Sequence, residues 1–402
     1  MAGRLRDREL ERELLADPSE DGSKLVYADW LQARGDAWGE LIVMQHGRAP
    51  NPEPLFRWDD PSAIRHAVSS HPTDSELFHA SRGLLEPRRL PPEAGLRERE
   101  LCEQVLDEAL GPCGDASVRV RWRSGFIDGL FVPQGGCDGD DLFDMLCSLL
   151  EHRAGLLLRQ LAIGAIRWNS ANKYEGYSLH YDDILELLAI AAPQTLEHLA
   201  LGAWSEHDIS WTAIGDLREL HGALPSLRVL ELQGNAYSFG EMDLPRLERL
   251  LVRSGGLPER ALLELAEARL PALRELTLWF GSNDFGGCED VAVAAPFLRA
   301  HERHPRLRRL GLANAMFTDE LCALLPRAPV LPQLTHLDLS MGMMSDEGAR
   351  ALLASRSAFA HLEHLDLRDN SLSSDACAQL ASLCPSVDTR YQREWRYVTV
   401  SE

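Results

Sequence analysis

Two histidines and two aspartates recur at the same spacing late in the sequence. His336 and Asp338 are two residues apart, and His364 and Asp366 repeat the pair 28 residues later. Side chains two apart on a strand share a face, so two adjacent strands would bring two imidazoles and two carboxylates together. Such a group could hold a divalent metal ion. A solvated cluster of mixed charge is the alternative, because the spacing contains no closed set of four ligands.

No other residue pattern indicates catalysis. The sequence has no Walker-type phosphate loop, no GxSxG nucleophile elbow and no HExxH zinc motif. The glycine pairs that begin at Gly135 and Gly286 lack the strand and helix context of a phosphate cradle. We therefore predict that the protein is not an enzyme and has no catalytic residue, cofactor or metal ion.

The charge balance and the cysteines limit the partner and the compartment. Asp and Glu total 62 against 41 Lys and Arg, for a formal net charge of -21, which argues against nucleic acid or an anionic membrane as the partner. The charged first ten residues lack the apolar stretch of a secretory signal, and no segment is as apolar as a membrane helix. Eight cysteines without a CxxC pair suit free thiols in a reducing compartment. We predict a cytoplasmic protein with a basic or neutral protein partner, and make no prediction of oligomeric state.

Leucines recur in a pattern that specifies short strands. The fullest copy of LxxLxL followed by xxNxL begins at Leu362, and abbreviated copies begin at Leu158, Leu196, Leu227, Leu247, Leu273, Leu307 and Leu334. Each unit of such an array forms one strand that can bury its apolar face only against a neighbour. The pattern is identified as a leucine-rich repeat, and its units of 26 to 28 residues resemble the ribonuclease-inhibitor type. The resemblance implies an α/β solenoid with a parallel concave sheet and helices on most convex segments.

Two departures from the consensus predict an irregular arc. The unit that begins at Leu227 has only 20 residues, which leaves no room for a convex helix and predicts an extended convex side. Only Asn235 and Asn370 occupy the position where the repeat family places an asparagine that bonds the turn backbone.

The residues between the motif leucines are the candidates for recognition. They point to the concave face and stack in rows, because neighbouring strands lie about 4.8 Å apart. Exposed Trp and Arg are enriched among interface hot spots. Aromatic residues in the turns could form an apolar rim or belong to the core, and a tyrosine-containing loop follows the first strand. The predicted partner-binding residues are Trp168, Tyr174, Tyr177, Trp204, Arg249, Arg253, Glu275, Trp279, Phe280, Arg309, His336, Asp338, His364 and Asp366.

The amino-terminal segment reads as a small helical module. Its apolar residues are three and four apart, with Tyr27, Trp30 and Leu31 as the expected core and with Asp29 and Asp36 at helix ends or in solvent. A recognition role for Asp29 and Trp30 is the alternative. The run from Leu25 to Leu31, with its flanking residues 14–18, 34–36 and 39–42, resembles a bacterial repeat-companion domain. That resemblance implies a type of module but does not imply a biochemical activity.

The predicted organisation has three parts. Residues 1–48 form the helical module, residues 49–112 a proline-rich connection and a helix, and residues 113–402 the solenoid. Alternating residues 117–132 predict the first strands, and residues 387–391 and 395–400 predict closing strands, because a solenoid needs capped ends.

Three functions fit this organisation. The first is a scaffold that binds a protein partner on the concave face and ascending turns. The second is an acidic inhibitor or immunity partner of a basic toxin or enzyme. The third, which the motif search disfavours, is a metal-dependent enzyme subunit that uses the His and Asp cluster.

Overall fold

The computed structural model describes residues 6–48, 90–91, 93–111, 118–133, 139–166, 180–202 and 209–400, and the backbone alone at 168–169 and 177–178. The described residues fall into two compact units, which are described separately. The first contains those from 6 to 200 together with 222–227, and the second contains 201–221 and 228–400. The predicted domain boundaries, at 48 and 112, border or fall on segments outside this description and stay predictions.

The first unit begins with three short helices that match the predicted module. Tyr27 and Leu31 are fully buried, and Trp30 stacks on Tyr27 with 5.8 Å between ring centroids. Arg34 covers the Trp30 ring at 4.2 Å, while Asp29 is exposed. The helices of the unit are α1 (Arg8–Ala16), α2 (Asp21–Gln32), α3 (Trp38–Gln45), α4 (Leu96–Leu110), α5 (Gly139–Glu151) and α6 (Asp182–Ala191).

A hairpin in the same unit packs against the module. Strands β1 (Arg119–Arg123) and β2 (Phe126–Val132) are antiparallel, and β2 pairs in parallel with β3 (Gln160–Ile163). The Trp38 indole Nε1 donates to the carbonyl of Gly125 (2.8 Å), and the Gln45 amide oxygen accepts from the Gly125 N–H (2.8 Å). A short antiparallel pair, β4 (Trp168–Asn169) and β5 (Tyr177–Ser178), follows β3.

The strands confirm the repeat pattern. All eight motif leucines are followed, two residues later, by the first residue of a parallel strand. Within the second unit these strands lie side by side in chain order, beginning at Val229, Arg249, Glu275, Arg309, His336 and His364, and a strand that begins at Val387 follows them. The remaining strands are β6 (His198–Gly202), β7 (Ala213–Asp216), β8 (Val229–Gln233), β9 (Asn235–Ser238), β10 (Arg249–Arg253), β11 (Glu275–Gly281), β12 (Arg309–Ala315), β13 (His336–Asp338), β14 (His364–Asp366) and β15 (Val387–Asp388).

Helices connect most of these strands, as the spacing predicts. The exception is the short unit after β8, where β9 pairs in parallel with β7 and no helix forms. Ser345 caps the helix that begins at Asp346, and Ser373 caps the helix that begins at Ser374. The Thr318 hydroxyl donates to the Ala315 carbonyl. The helices are α7 (Leu220–Ala223), α8 (Glu259–Glu267), α9 (Ala295–Leu298), α10 (Thr318–Leu324), α11 (Asp346–Ala354), α12 (Arg356–Phe359) and α13 (Ser374–Leu380), with 3-10 turns at Arg153–Gly155, Asn283–Phe285, Val291–Ala294, Leu325–Arg327 and Leu331–Gln333.

The predicted second closing strand is absent from the described residues 395–400. Strand β15 forms, but residues 395–400 have no regular strand pairing and run back along the turns that follow the preceding strands. The reason is that Val400 packs in an apolar cluster that includes Trp279 and Met341, and Val398 is also buried; the two side chains are 1% and 2% exposed. Across the described part of the chain, no helix is long and apolar enough to cross a membrane.

Candidate partner-binding surface

The strand register places the candidate residues in rows on the sheet face opposite the buried leucines, here called the concave face. Arg249 pairs with Glu275, and Glu275 with Arg309, which continues to His336 and His364. A second row runs through Gly311, Asp338, Asp366 and Asp388. The register therefore confirms that the residues between the motif leucines stack in rows on these strands.

Arg249 sits between two carboxylates and is engaged within the chain. It lies 3.3 Å from Glu231 and 3.2 Å from Glu275. Burial raises the pKa of the Glu231 carboxyl, against the opposing effect of Arg249. The charged residues in the middle of the concave face thus pair with one another, so less of their charge is available to a partner.

Trp279 is buried, so the expectation of an exposed tryptophan is wrong. Its side chain is 3% exposed, because Ile209 and Val400 cover it in an apolar cluster that also contains Ala313 and Met341. The Arg253 guanidinium lies 4.8 Å above the Trp279 ring and donates to the Gln233 amide oxygen.

Phe280 is also a core residue and not part of a rim. It is fully buried and packs edge-on against Phe317, with ring centroids 5.0 Å apart. Strand alternation explains this, since Phe280 follows Trp279 in β11 and faces the opposite side of the sheet.

The second row ends in three aspartates on adjacent strands. The Arg368 guanidinium donates to both carboxylate oxygens of Asp366 (2.9 Å from Nε and 2.6 Å from Nη2), and Arg390 donates to Asp388 in the same way (2.9 and 2.6 Å). In both pairs the arginine stands two residues after the aspartate, on the same face of the sheet.

Asp338 differs from its two neighbours in the row. The residue two positions later is Ser340, whose N–H donates to the Asp338 carboxylate (2.8 Å). Among the residues that the structure describes, no Arg, Lys or His forms an ion pair with Asp338. Burial, together with the nearby Asp366, raises the pKa of Asp338 to about 7.

The two histidines line the edge of this carboxyl row. The rings of His336 and His364 are 5.9 Å apart, and His364 Nδ1 bonds the Ser386 hydroxyl (2.9 Å). Burial and the exposed Arg309 lower the pKa of His336. Within the described ranges, no group of three or more His, Cys, Asp or Glu side chains could hold a metal ion. The carboxylate of Asp366 is instead engaged by Arg368.

Four candidates cannot be placed on this surface. Tyr174 and Trp204 lie outside the described residues, as do the side chains of Trp168 and Tyr177. Conversely, sequence reasoning missed Ser340, Asp388 and Arg390. The recurrence of Asp-x-Arg at 366–368 and 388–390 was the available signal for them.

Comparisons with known proteins agree with this geometry. A family model described as Leucine Rich repeat matches residues 331–353 and 360–381. The chain therefore carries leucine-rich repeats. It is 41% identical over 120 residues to mouse (Mus musculus) Tonsoku-like protein and 31% identical over 140 residues to mouse Protein NLRC5, which is 27% and 34% of the chain. The chain spans only 9% and 7% of the length of these relatives.

A solved structure supports the same fold. A protein from Bacteroides fragilis is 26% identical, with a TM-score of 0.59, and the match covers 66% of this chain and 76% of that one. The fold is an α/β leucine-rich-repeat solenoid with an amino-terminal helical module.

Proposed function

We propose that the chain is a non-enzymatic scaffold whose concave face, at strands β12 to β15, binds a basic segment of a protein partner. Leucine-rich-repeat proteins are generally protein-interaction modules, which supports the class of function. The middle of the face is a poorer candidate than the aspartate row, because its charges are engaged within the chain.

The observation that carries the proposal is Asp338. Asp366 and Asp388 each have an arginine two residues later, whereas Ser340 occupies that position after Asp338. A lysine or arginine of the partner would take the place of the missing arginine. Its charge would stabilise ionised Asp338, since an opposite charge within about 4–6 Å favours the charged form of a carboxyl.

The test compares one carboxylate with a matched exposed one. A partner is captured from the source cells with the wild-type chain, and its affinity is then measured for Asp338→Asn and for Glu302→Gln, whose side chain is 84% exposed outside the strand rows. We expect Asp338→Asn to weaken binding about tenfold or more at pH 8, the range for a charge-assisted hydrogen bond. Equal affinities for the two variants would refute the site.

Acidity of the whole chain supports a second candidate function. An inhibitor or immunity partner of a basic toxin or enzyme would use the same surface, and a net charge of -21 suits it. It would differ from a scaffold in one measurable way, because the captured partner's own activity would fall when the chain is bound. If the captured partner keeps its full activity in the complex, the inhibitor function is excluded and the scaffold function stands.

Two further proposals concern the helical module and the compartment. The helical module, residues 6–48, caps the first hairpin through Trp38 and Gln45, whatever its relation to the repeat-companion domain. A cytoplasmic location suits the buried thiols, since burial raises the pKa of Cys102 to about 12 and keeps it protonated.

A further inference from the structure

Residues 393–400 lie across the turns that follow the strands of the second unit. The Arg393 N–H donates to the Asn370 carbonyl (2.7 Å), on the turn after β14. The Thr399 N–H donates to the Met341 carbonyl (2.9 Å), after β13, and Val400 reaches Asn314, at the end of β12. The segment therefore crosses the turns in the reverse of their chain order.

These turns present their hydrogen-bonding groups to the segment. The Asn314 amide bonds both backbone groups of Val400, as donor to its carbonyl (2.6 Å) and acceptor from its N–H (3.0 Å). Asn314, Met341 and Asp369 occupy equivalent positions and share left-handed backbones, with φ of 51°, 62° and 52°. Asn and Asp tolerate such backbone, but it is costly for Met341, and strained residues cluster at ligand-binding sites.

Side chains of the segment enter the groove at alternate positions. Val400 completes the apolar cluster over Trp279, and Val398 is also buried. Two residues earlier, the Arg396 guanidinium forms an ion pair with Asp319 (2.7 Å) and donates to the Met343 carbonyl (2.9 Å). Main-chain hydrogen bonds combined with pockets for alternate side chains are how sheet edges bind extended peptides.

Few side chains of the segment are buried, and hydrogen bonds such as those of Arg393, Tyr397 and Thr399 hold most of it in place. Within residues 393–400 only Val398 and Val400 are buried, while Trp395 is 69% exposed. A tethered segment needs little intrinsic affinity, because its effective concentration is in the millimolar range. A partner's segment with a few more contacts could therefore replace it.

We propose that this groove, formed by Trp279, Asn314, Met341 and Asp319, binds an extended segment of a partner protein that carries an arginine followed by β-branched residues two and four positions later. Residues 393–400 fill the groove in cis, and the partner's segment displaces them. The site is separate from Asp338 and does not depend on the function proposed for it.

The test uses the full chain and a defined probe. A fluorescein-labelled peptide with the sequence of residues 391–400 is titrated against the wild-type chain and against a release variant, Val398→Asp with Val400→Asp. We expect the peptide to bind the release variant about 30-fold or more tighter, because the cis segment no longer competes. Equal binding to both chains would overturn the proposal.

Two further variants separate the groove from other surfaces. Asn314→Gly in the release variant keeps the left-handed backbone and should abolish peptide binding, whereas Ala236→Gly, at another left-handed residue (φ 53°), should leave it intact. Asp338→Asn should also leave it intact, which keeps failure of this site distinguishable from failure of the proposed function. Peptide binding that survives Asn314→Gly would place the peptide elsewhere.

The wild-type chain provides a test that does not depend on the folding of the release variant. Hydrogen exchange should show residues 393–400 opening far faster than β12, and saturating peptide should accelerate their exchange further. Exchange of the segment only through global unfolding would overturn the proposal. A stable dimer of the wild-type chain with exchanged segments would assign the groove to a second copy and overturn the partner assignment.

Discussion

Asp338 shows how one residue changes the character of a site. On β14 and β15 the aspartate in the same row is neutralised by an arginine two residues later in the chain. After β13 the uncharged Ser340 stands in place of that arginine, and burial together with the neighbouring Asp366 keeps the Asp338 carboxyl protonated to a higher pH. A serine in place of an arginine thus converts a structural aspartate into a candidate receptor for a partner's cation.

The raised pKa of Asp338 predicts a pH-dependent effect on stability. Folded Asp338 binds its proton up to about pH 7, while the unfolded chain loses it near pH 4, so this group's stabilisation is full below that lower value and declines as pH rises to about 7. Asp338→Asn, which mimics the protonated form, should raise the melting temperature at pH 8 and have a much smaller effect at pH 5. The measurement is thermal unfolding at both pH values, with Glu302→Gln as control. An effect of equal size at both would contradict the assignment.

The two consensus asparagines should differ in importance. Asn370 is fully buried, donates to the carbonyls of Leu339, Leu367 and Arg368, and accepts from the Met344 N–H. Asn370→Ala should therefore cost about 2–4 kcal/mol, because several buried backbone groups lose their partner.

Asn235→Ala is the matched control for that substitution. Asn235 is only partly buried and bonds the adjacent Ala236 N–H and the Ser210 carbonyl. We expect a cost below about 1 kcal/mol in denaturant unfolding. Similar costs for the two asparagines would show that burial does not decide their roles.

At the scale of elements, α3 and the hairpin pack closely against each other at Gly125. Gly125 has φ +78°, and a Cβ there would come within 2.7–2.9 Å of Ile42, including its backbone. Trp38, which bonds the Gly125 carbonyl, also packs edge-on against Phe126, with ring centroids 5.1 Å apart. The helical module and the hairpin therefore depend on each other for packing.

Gly125→Ala should disrupt this junction. The matched substitution is Gly35→Ala, at φ +74° with nothing within 4 Å of the added Cβ, which measures the backbone cost alone. We expect Gly125→Ala to be less stable than Gly35→Ala by about 1–3 kcal/mol, the usual cost of overpacking. Equal unfolding curves for the two variants would show that close packing against Ile42 does not restrict position 125.

The sequence predicts where the repeat strands begin better than it predicts which residues cover them. Each strand starts two residues after its motif leucine, since the repeat spacing is local and the leucines need the same core. The covering of Trp279 could not be read from the sequence, because Asn314 and Val400, which hold the covering segment, are 86 residues apart. The burial of Phe280 was a matter of strand alternation and could have been assigned from the register.

At the scale of the whole molecule, the net charge of -21 should govern how fast a basic partner arrives. Complementary charge steers encounter, and salt screens exposed charges over about 8–10 Å at physiological strength. Raising the NaCl concentration from 50 to 500 mM should lower the association rate about tenfold or more and change the dissociation rate less. Surface plasmon resonance measures both, and an association rate independent of salt would exclude a basic partner.

The claim that the aspartate row on the concave face receives the partner has a direct test. Carboxyl footprinting with carbodiimide and a glycine ester labels accessible Asp and Glu side chains in the free chain and in the captured complex. At pH 8 we expect labelling of Asp338 to fall in the complex while that of Glu320 and Glu347, exposed on the convex helices α10 and α11, stays the same. Protection of Glu320 and Glu347 with unchanged labelling of Asp338 would contradict the account.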